Sequence, residues 1–144
     1  PEYDTWKPGE HNGTFRGNNH AFITAAAALE HFWSDDKFQN EVQMKIRQLS
    51  TRLQRIAKTY DPKLITAKGR GFMQGLELNS GELANRICRE AFAHGLIIET
   101  SGSEGQVVKC LCPLTITPEE LDQGLTILEK SIAAVLLVEL SVAS

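Results

Sequence analysis

The spacing of apolar residues changes character near residue 69. Before it, two stretches repeat with the helical period. "HAFITAAAALEHFW" (20–33) is an alanine-rich helix that Asn18 or Asn19 can cap. Its small side chains permit close packing against another helix or a neighbouring subunit. "DDKFQNEVQMKIRQLSTRLQRIAKTY" (35–60) predicts a longer helix, because Phe38, Val42, Ile46, Leu49, Leu53 and Ile56 recur at helical spacing. Asp35 and Asp36 lie at its start, where the helix dipole favours negative charge. "DPKLIT" then breaks the helix.

Beyond residue 69 the blocks shorten. "GRGFMQGLELN" mixes glycine with Phe72, Leu76 and Leu78 and reads as a strand with a close backbone approach. "SGELANRICREAFAHG" follows as an amphipathic helix that Gly95 is placed to stop. "LIIET" (96–100) and "QVVKCL" (106–111) are strands joined by the turn-rich "SGSEG". "TPEELDQGLTILEKSIAAVL" closes the chain as a helix with Thr117 at the N-cap, Pro118 at N1 and Glu120 at N3, a capping box. The order α-α-β-α-β-β-α predicts an α+β fold: a small, mostly antiparallel sheet covered by helices and preceded by two long helices. "LTI" (114–116) is a candidate for a short fourth strand. A mild boundary near Asp61–Lys68 separates layers better than domains.

Composition narrows the functional classes. A length of 144 residues with 42% hydrophobic content suits one core. The net charge of −3 and the absence of a basic stripe interleaved with aromatics argue against nucleic acid as a partner. The densest basic run, "KIRQLSTRLQR", reads as a solvated helix face. Cys88, Cys110 and Cys112 form neither a disulfide framework nor a structural zinc spacing, so no metal site is expected and a reducing cytoplasm is the simplest setting. Cys110 and Cys112 would share one strand face, which suits packing. The tail "IAAVLLVELSV" is too short for a membrane span and carries a glutamate. The opening "PEYDTWKPGE", with proline in first place, reads as interior to something longer.

Chemistry concentrates in "GEHNGTFRGNN" (9–19). Glycine, asparagine and histidine tolerate turn geometries, so the segment is a loop that caps a helix. The same ingredients gather backbone N–H donors, a threonine hydroxyl and an arginine, as phosphate-binding turns do. His11 is a possible base without an evident partner. Arg70, between two glycines, can reach an anion or anchor a strand start. Lys109, inside apolar "VVKCLCPL", must point to solvent or meet an anion.

"GEHNGTFRGN" closely resembles the loop of class III, pyridoxal-phosphate-dependent aminotransferases, usually H-G-x-T-[FY]-x-G-N. "GRGFMQGLEL" resembles the family's strand at the start of its C-terminal small domain, and "GLIIETSGSEGQVVKCLCPLTITPEELDQGLTIL" its closing segment. Together these run from about residue 9 to residue 130 in the family's order. The wording "WKPGEHNGTFRGNN" is most similar to the branch that aminates aspartate 4-semialdehyde from glutamate.

The resemblance implies a cofactor, pyridoxal 5'-phosphate, with amino acid and 2-oxo acid substrates. It implies a homodimer or higher homo-oligomer with sites shared across the interface. Thr14 would bind the cofactor phosphate in the neighbouring subunit's site through hydroxyl and N–H. Gly13 stands where many relatives carry serine, leaving a backbone N–H. His11, Phe15, Gly17 and Asn18 match the motif and shape the loop. Lys109 occupies a position where several relatives place an arginine for the substrate α-carboxylate; lysine keeps the charge without the bidentate fork. The Schiff-base lysine and the aspartate on the pyridine nitrogen lie upstream in the family. None of Lys7, Lys37, Lys45 and Lys58 matches that lysine's context, so no catalytic residue is expected here and the chain alone should be inactive. The implied layout is a cofactor-phosphate and interface loop (1–19) from the end of the large domain, interface and connecting helices (20–68), and a small α+β domain (69–144). Phe22, Phe32 and Trp33 should then be exposed. Two rival readings are a stand-alone anion-binding or oligomerisation module and another class III member of ornithine or 4-aminobutyrate type.

Overall fold

Asn18 decides where the first helix begins. Its Oδ1 accepts the Ala21 N–H at 3.0 Å, satisfying one of the orphan donors at a helix start, and α1 runs Asn19–Phe32. The computed structural model describes residues 2, 5–10 and 12–142. They fall into two compact units, Pro1–Gln39 and Asn40–Ser144. In the first unit, α1 has no buried residue. Phe22, Ile23, Leu29 and Trp33 are exposed, as the resemblance implied for Phe22 and Trp33. Phe32 is instead half-buried. Its ring lies 4.6 Å from His31 and 4.8 Å from Phe38, and Trp33 meets Phe38 edge-on at 5.2 Å.

Asp35 Oδ1 accepts the Lys37 N–H at 2.9 Å where α2 (Lys37–Thr59) starts. The buried stripe of α2 is Val42, Lys45, Leu49, Leu53 and Ile56, close to the predicted spacing but with a lysine inside it. Ile46 is only half-buried. The reading of "KIRQLSTRLQR" as a solvated face holds at the exposed Arg47 and Arg55 and is corrected at Lys45 and Arg52. Lys45 is 6% exposed, and the Arg52 side chain is largely covered by α4 (Pro118–Val142).

The single strand expected over 69–79 is a hairpin instead. β1 (Ile65–Arg70) and β2 (Met73–Leu78) pair antiparallel, closing at Arg70 opposite Met73. Gly69 (φ +103°) and Gly71 (φ +62°) make the reversal possible. A Cβ on Gly69 would stand 2.2 Å from the Met73 carbonyl oxygen. Only Ile65 of β1 is buried, so the strand carries no alternation that a sequence pattern could show.

α3 (Gly81–Ala93) is capped by Ser80, whose Oγ accepts the Leu83 N–H at 3.2 Å. It stops where Gly95, at φ +85°, turns the chain, with the Gly95 and Leu96 N–H groups returning to the Phe92 and Ala91 carbonyls. β3 (Glu99–Ser101) and β4 (Val107–Cys110) complete a four-stranded, fully antiparallel sheet of order β1-β2-β4-β3. The paired Leu76 and Val108 are fully buried. α3 packs on β2, β3, β4 and α4. Its buried Leu83, Ala84, Ile87, Cys88 and Ala91 follow the helical period.

"LTI" forms no strand. The Ile116 N–H bonds to the Pro113 carbonyl, and the Leu114 and Ile116 carbonyls are taken by Lys45, which leaves no ladder to join. Thr117 and Glu120 form the expected capping box: Thr117 Oγ1 accepts the Glu120 N–H at 3.1 Å, and Glu120 Oε2 accepts the Thr117 N–H at 3.0 Å. Among the described residues no helix is long and apolar enough to cross a membrane.

Candidate functional site

The predicted phosphate-contacting residues lie in the first unit, at a tight turn. Gly13 is extended (φ −164°, ψ 122°) and has no side-chain cap over the 3-10 turn Thr14–Gly17. The Arg16 N–H closes the turn onto the Gly13 carbonyl at 3.1 Å. The Arg16 side chain runs alongside, near enough that a Cβ on Gly13 would stand 3.3 Å from its Cγ and Cδ. Gly13, Phe15, Arg16 and Gly17 are exposed. The upstream chain is tied locally, with Glu10 Oε2 accepting the Lys7 N–H at 2.8 Å. A glycine at the start of a turn, amides at its open end and a guanidinium beside it are residue types that fit an anionic phosphate. His11 lies outside the described residues.

Lys109 belongs to the second unit. In register it lies between Gly75 of β2 and Glu99 of β3, on the sheet side opposite Val108 by strand alternation. Its ammonium already holds a carboxylate, with Nζ 2.7 Å from Glu99 Oε1. The hydrogen bond from Lys109, and then its charge, hold the Glu99 carboxyl below the usual carboxylate range. Lys68 does the same for Glu77, 2.9 Å away on the neighbouring strand. Arg70 is exposed at the hairpin end.

Lys109 and Glu99 also line a pocket of about 340 Å³ whose apolar walls include Leu49, Leu96, Ile98 and Leu125. Cys110 and Cys112 line it too. The strand ends at Cys110, so the expected sharing of one strand face by the two cysteines is not met; both are half-buried and free. Burial, with the neighbouring Cys112 and Cys88, pushes the Cys110 thiol up to about 12. Burial also raises Cys112, although the Lys45 charge opposes it. These thiols stay protonated near neutrality and are poor nucleophiles.

Two residues escaped the sequence reading. Lys45 donates from Nζ to the carbonyls of Leu114 (2.6 Å) and Ile116 (3.0 Å). The signal was present, since Lys45 falls at helical spacing inside the apolar stripe of α2. Arg52 forks onto α4, reaching Asp122 at 2.8 Å and both Thr126 and Glu129 at 3.1 Å. Among the described residues no cluster of three or more His, Cys, Asp or Glu side chains is placed to hold a metal.

A family model described as "Aminotransferase class-III" matches residues 2–132. The chain belongs to that family. It is 55% identical over 133 residues to a diaminobutyrate–2-oxoglutarate transaminase of Halomonas elongata, covering 91% of this chain and 32% of that protein. A protein of the same name from Vibrio parahaemolyticus is 48% identical over 135 residues, covering 94% of this chain and 32% of the relative. The chain thus spans about a third of the length of these class III relatives. Among solved structures it is similar to an ornithine aminotransferase from Plasmodium yoelii, with TM-score 0.73 and 27% identity over 90% of this chain and 34% of that one. The antiparallel sheet with its covering helices is therefore a fold found in aminotransferases.

Proposed function

We propose that the chain is the C-terminal portion of a pyridoxal-phosphate-dependent aminotransferase. The parent enzyme passes the amino group of L-glutamate to L-aspartate 4-semialdehyde, giving L-2,4-diaminobutyrate and 2-oxoglutarate for ectoine biosynthesis in the cytoplasm. The observation that carries this reading is 55% and 48% identity, over more than nine-tenths of the chain, to relatives bearing the diaminobutyrate transaminase name.

The roles divide along the chain. Residues 1–19 form the cofactor-phosphate and interface loop, 20–68 the interface and connecting helices together with the first residues of β1, and 69–144 the rest of the small domain. Thr14 and Gly13 hold the phosphate of a pyridoxal 5'-phosphate bound in the neighbouring subunit, with Arg16 adding positive charge to the turn. When bound, that cofactor supplies an electron sink for carbanion chemistry at the substrate carbon. Lys109 is the candidate anchor for a substrate carboxylate, which must share or displace Glu99 at the ammonium. The lysine that would bind the cofactor covalently matches none in this chain, so the chain alone is inactive. The exposed apolar side chains of α1 support a homodimer or higher homo-oligomer.

The test uses the complete polypeptide, with amino transfer from glutamate measured for aspartate 4-semialdehyde and for competing acceptors. Borohydride reduction followed by peptide mapping should find one pyridoxyl group on a lysine outside these 144 residues. Preference for ornithine or 4-aminobutyrate as donor would move the chain to another branch of class III. A complete polypeptide that gains no pyridoxyl group would leave an anion-binding or oligomerisation module.

A further inference from the structure

The segment 111–117 leaves β4, enters α4 and pairs with no strand. Leu111, Pro113, Leu114 and Thr115 are exposed, and only Cys112 and Ile116 are half-buried. Packing alone therefore holds this backbone weakly. Lys45 reaches it from the buried stripe of α2. An ammonium withdrawn this far from water needs oxygen acceptors, and the Leu114 and Ile116 carbonyls provide two, at 2.6 and 3.0 Å. Leu111, Cys112 and Ile116 form one wall of the pocket, while Leu49, one turn along α2 from Lys45, forms another. The buried cation thus ties this exposed wall to the helix facing it, and Gln48 Nε2 of the same helix bonds the Pro118 carbonyl just beyond it at 3.1 Å.

We propose that Lys45 is the latch of this pocket. Its two bonds hold residues 111–116 closed, and their release lets these residues swing away from the capped start of α4 and opens the pocket at Cys112. This conformational role is independent of the transaminase reading.

Cysteine alkylation by iodoacetamide, followed by peptide mapping in the complete polypeptide, tests it. Lys45→Met keeps an apolar stem of similar length and removes the donors. The Cys112 rate should rise about tenfold or more, the scale of one lost charge-assisted hydrogen bond. Cys88, buried on α3 and outside the pocket lining, should keep its rate. Electrostatics alone predicts the opposite sign, because removing the Lys45 charge disfavours the Cys112 thiolate. Lys45→Arg, which retains a cation of comparable reach, should restore slow modification. If Lys45→Met does not fold, Lys45→Gln carries the same expectation with a smaller rise. An unchanged or slower Cys112 rate overturns the latch, and so does a parallel acceleration of Cys88, which would report general loosening.

Discussion

The two units of this chain handle apolar side chains in opposite ways. In Asn40–Ser144, Leu49, Leu76, Ile87, Val108 and Ile132 are fully buried. In Pro1–Gln39, α1 buries nothing, and Phe15, Phe22 and Ile23 are each more than half exposed. Helix α1 is well capped and rich in alanine, so its backbone preference is strong. What it lacks is a surface of its own to cover. The larger unit has an apolar core, whereas the smaller unit has secondary structure and candidate chemistry with no buried side chain among its described residues.

Core deletion sharpens this contrast most. Leu76→Ala should cost about 2–5 kcal/mol, because the side chain is fully buried at the sheet centre. Phe22→Ala in the 144-residue chain should cost no more than about 0.5 kcal/mol, the usual scale for an exposed position. Urea unfolding followed by far-UV circular dichroism measures both. Both tryptophans, Trp6 and Trp33, lie in the smaller unit, so their emission reports that unit separately. Coincident transitions by the two probes, or a Phe22→Ala cost matching that of Leu76→Ala, would break the contrast.

The second test lies between α2 and α4. Arg52 joins Asp122, Thr126 and Glu129 with a side chain 18% exposed, whereas Arg55 meets Glu129 with 58% exposed. Arg52→Met should destabilise by about 1–2 kcal/mol, above the range of an open surface pair, since a covered guanidinium makes several charged contacts. Arg55→Met should cost about 0.5 kcal/mol or less. Equal costs in urea titrations would show that the fork on α4 adds nothing to an ordinary surface pair.

The same contrast explains what the sequence made legible. α2, α3 and α4 were readable because period and caps agree: the apolar spacing of α2, Ser80 and Gly95 around α3, and Thr117, Pro118 and Glu120 opening α4. β1 was hidden, since "ITAKGR" buries only Ile65 and depends on its partner strand for its conformation. Gly69 and Gly71 make the reversal through positive φ, but in the sequence a glycine within an apolar run equally suits a strand with a close backbone approach. Lys45 was visible as a charge within an apolar stripe, yet its acceptors come from a segment about seventy residues away and have no sequence signature. Physically, the opening loop spells only a turn and a cap, and the structure has both. Its link to cofactor chemistry rests on the family wording, because the contacts proposed for Thr14 and Gly13 would lie in another subunit.

The smallest effect concerns the entry to α4. Thr117→Ala removes the side-chain acceptor for the Glu120 N–H and should cost about 1 kcal/mol. The reciprocal half of the box is pH-dependent. The Thr117 N–H, and then its hydroxyl, hold the Glu120 carboxyl below the ordinary glutamate value. A carboxyl lowered in the folded state contributes stability that is fully present above its unfolded pKa and is lost as pH falls through the folded one. Glu77 and Glu99, lowered by their lysine partners, titrate in the same direction, so the acid response of the unmodified chain is a sum. The difference between that chain and Glu120→Gln isolates the box. Urea midpoints should differ most near pH 7 and converge as pH falls below the ordinary glutamate range. A gap that stays constant, or widens in acid, would mean that Glu120 acts through helix packing rather than through its bonds to Thr117.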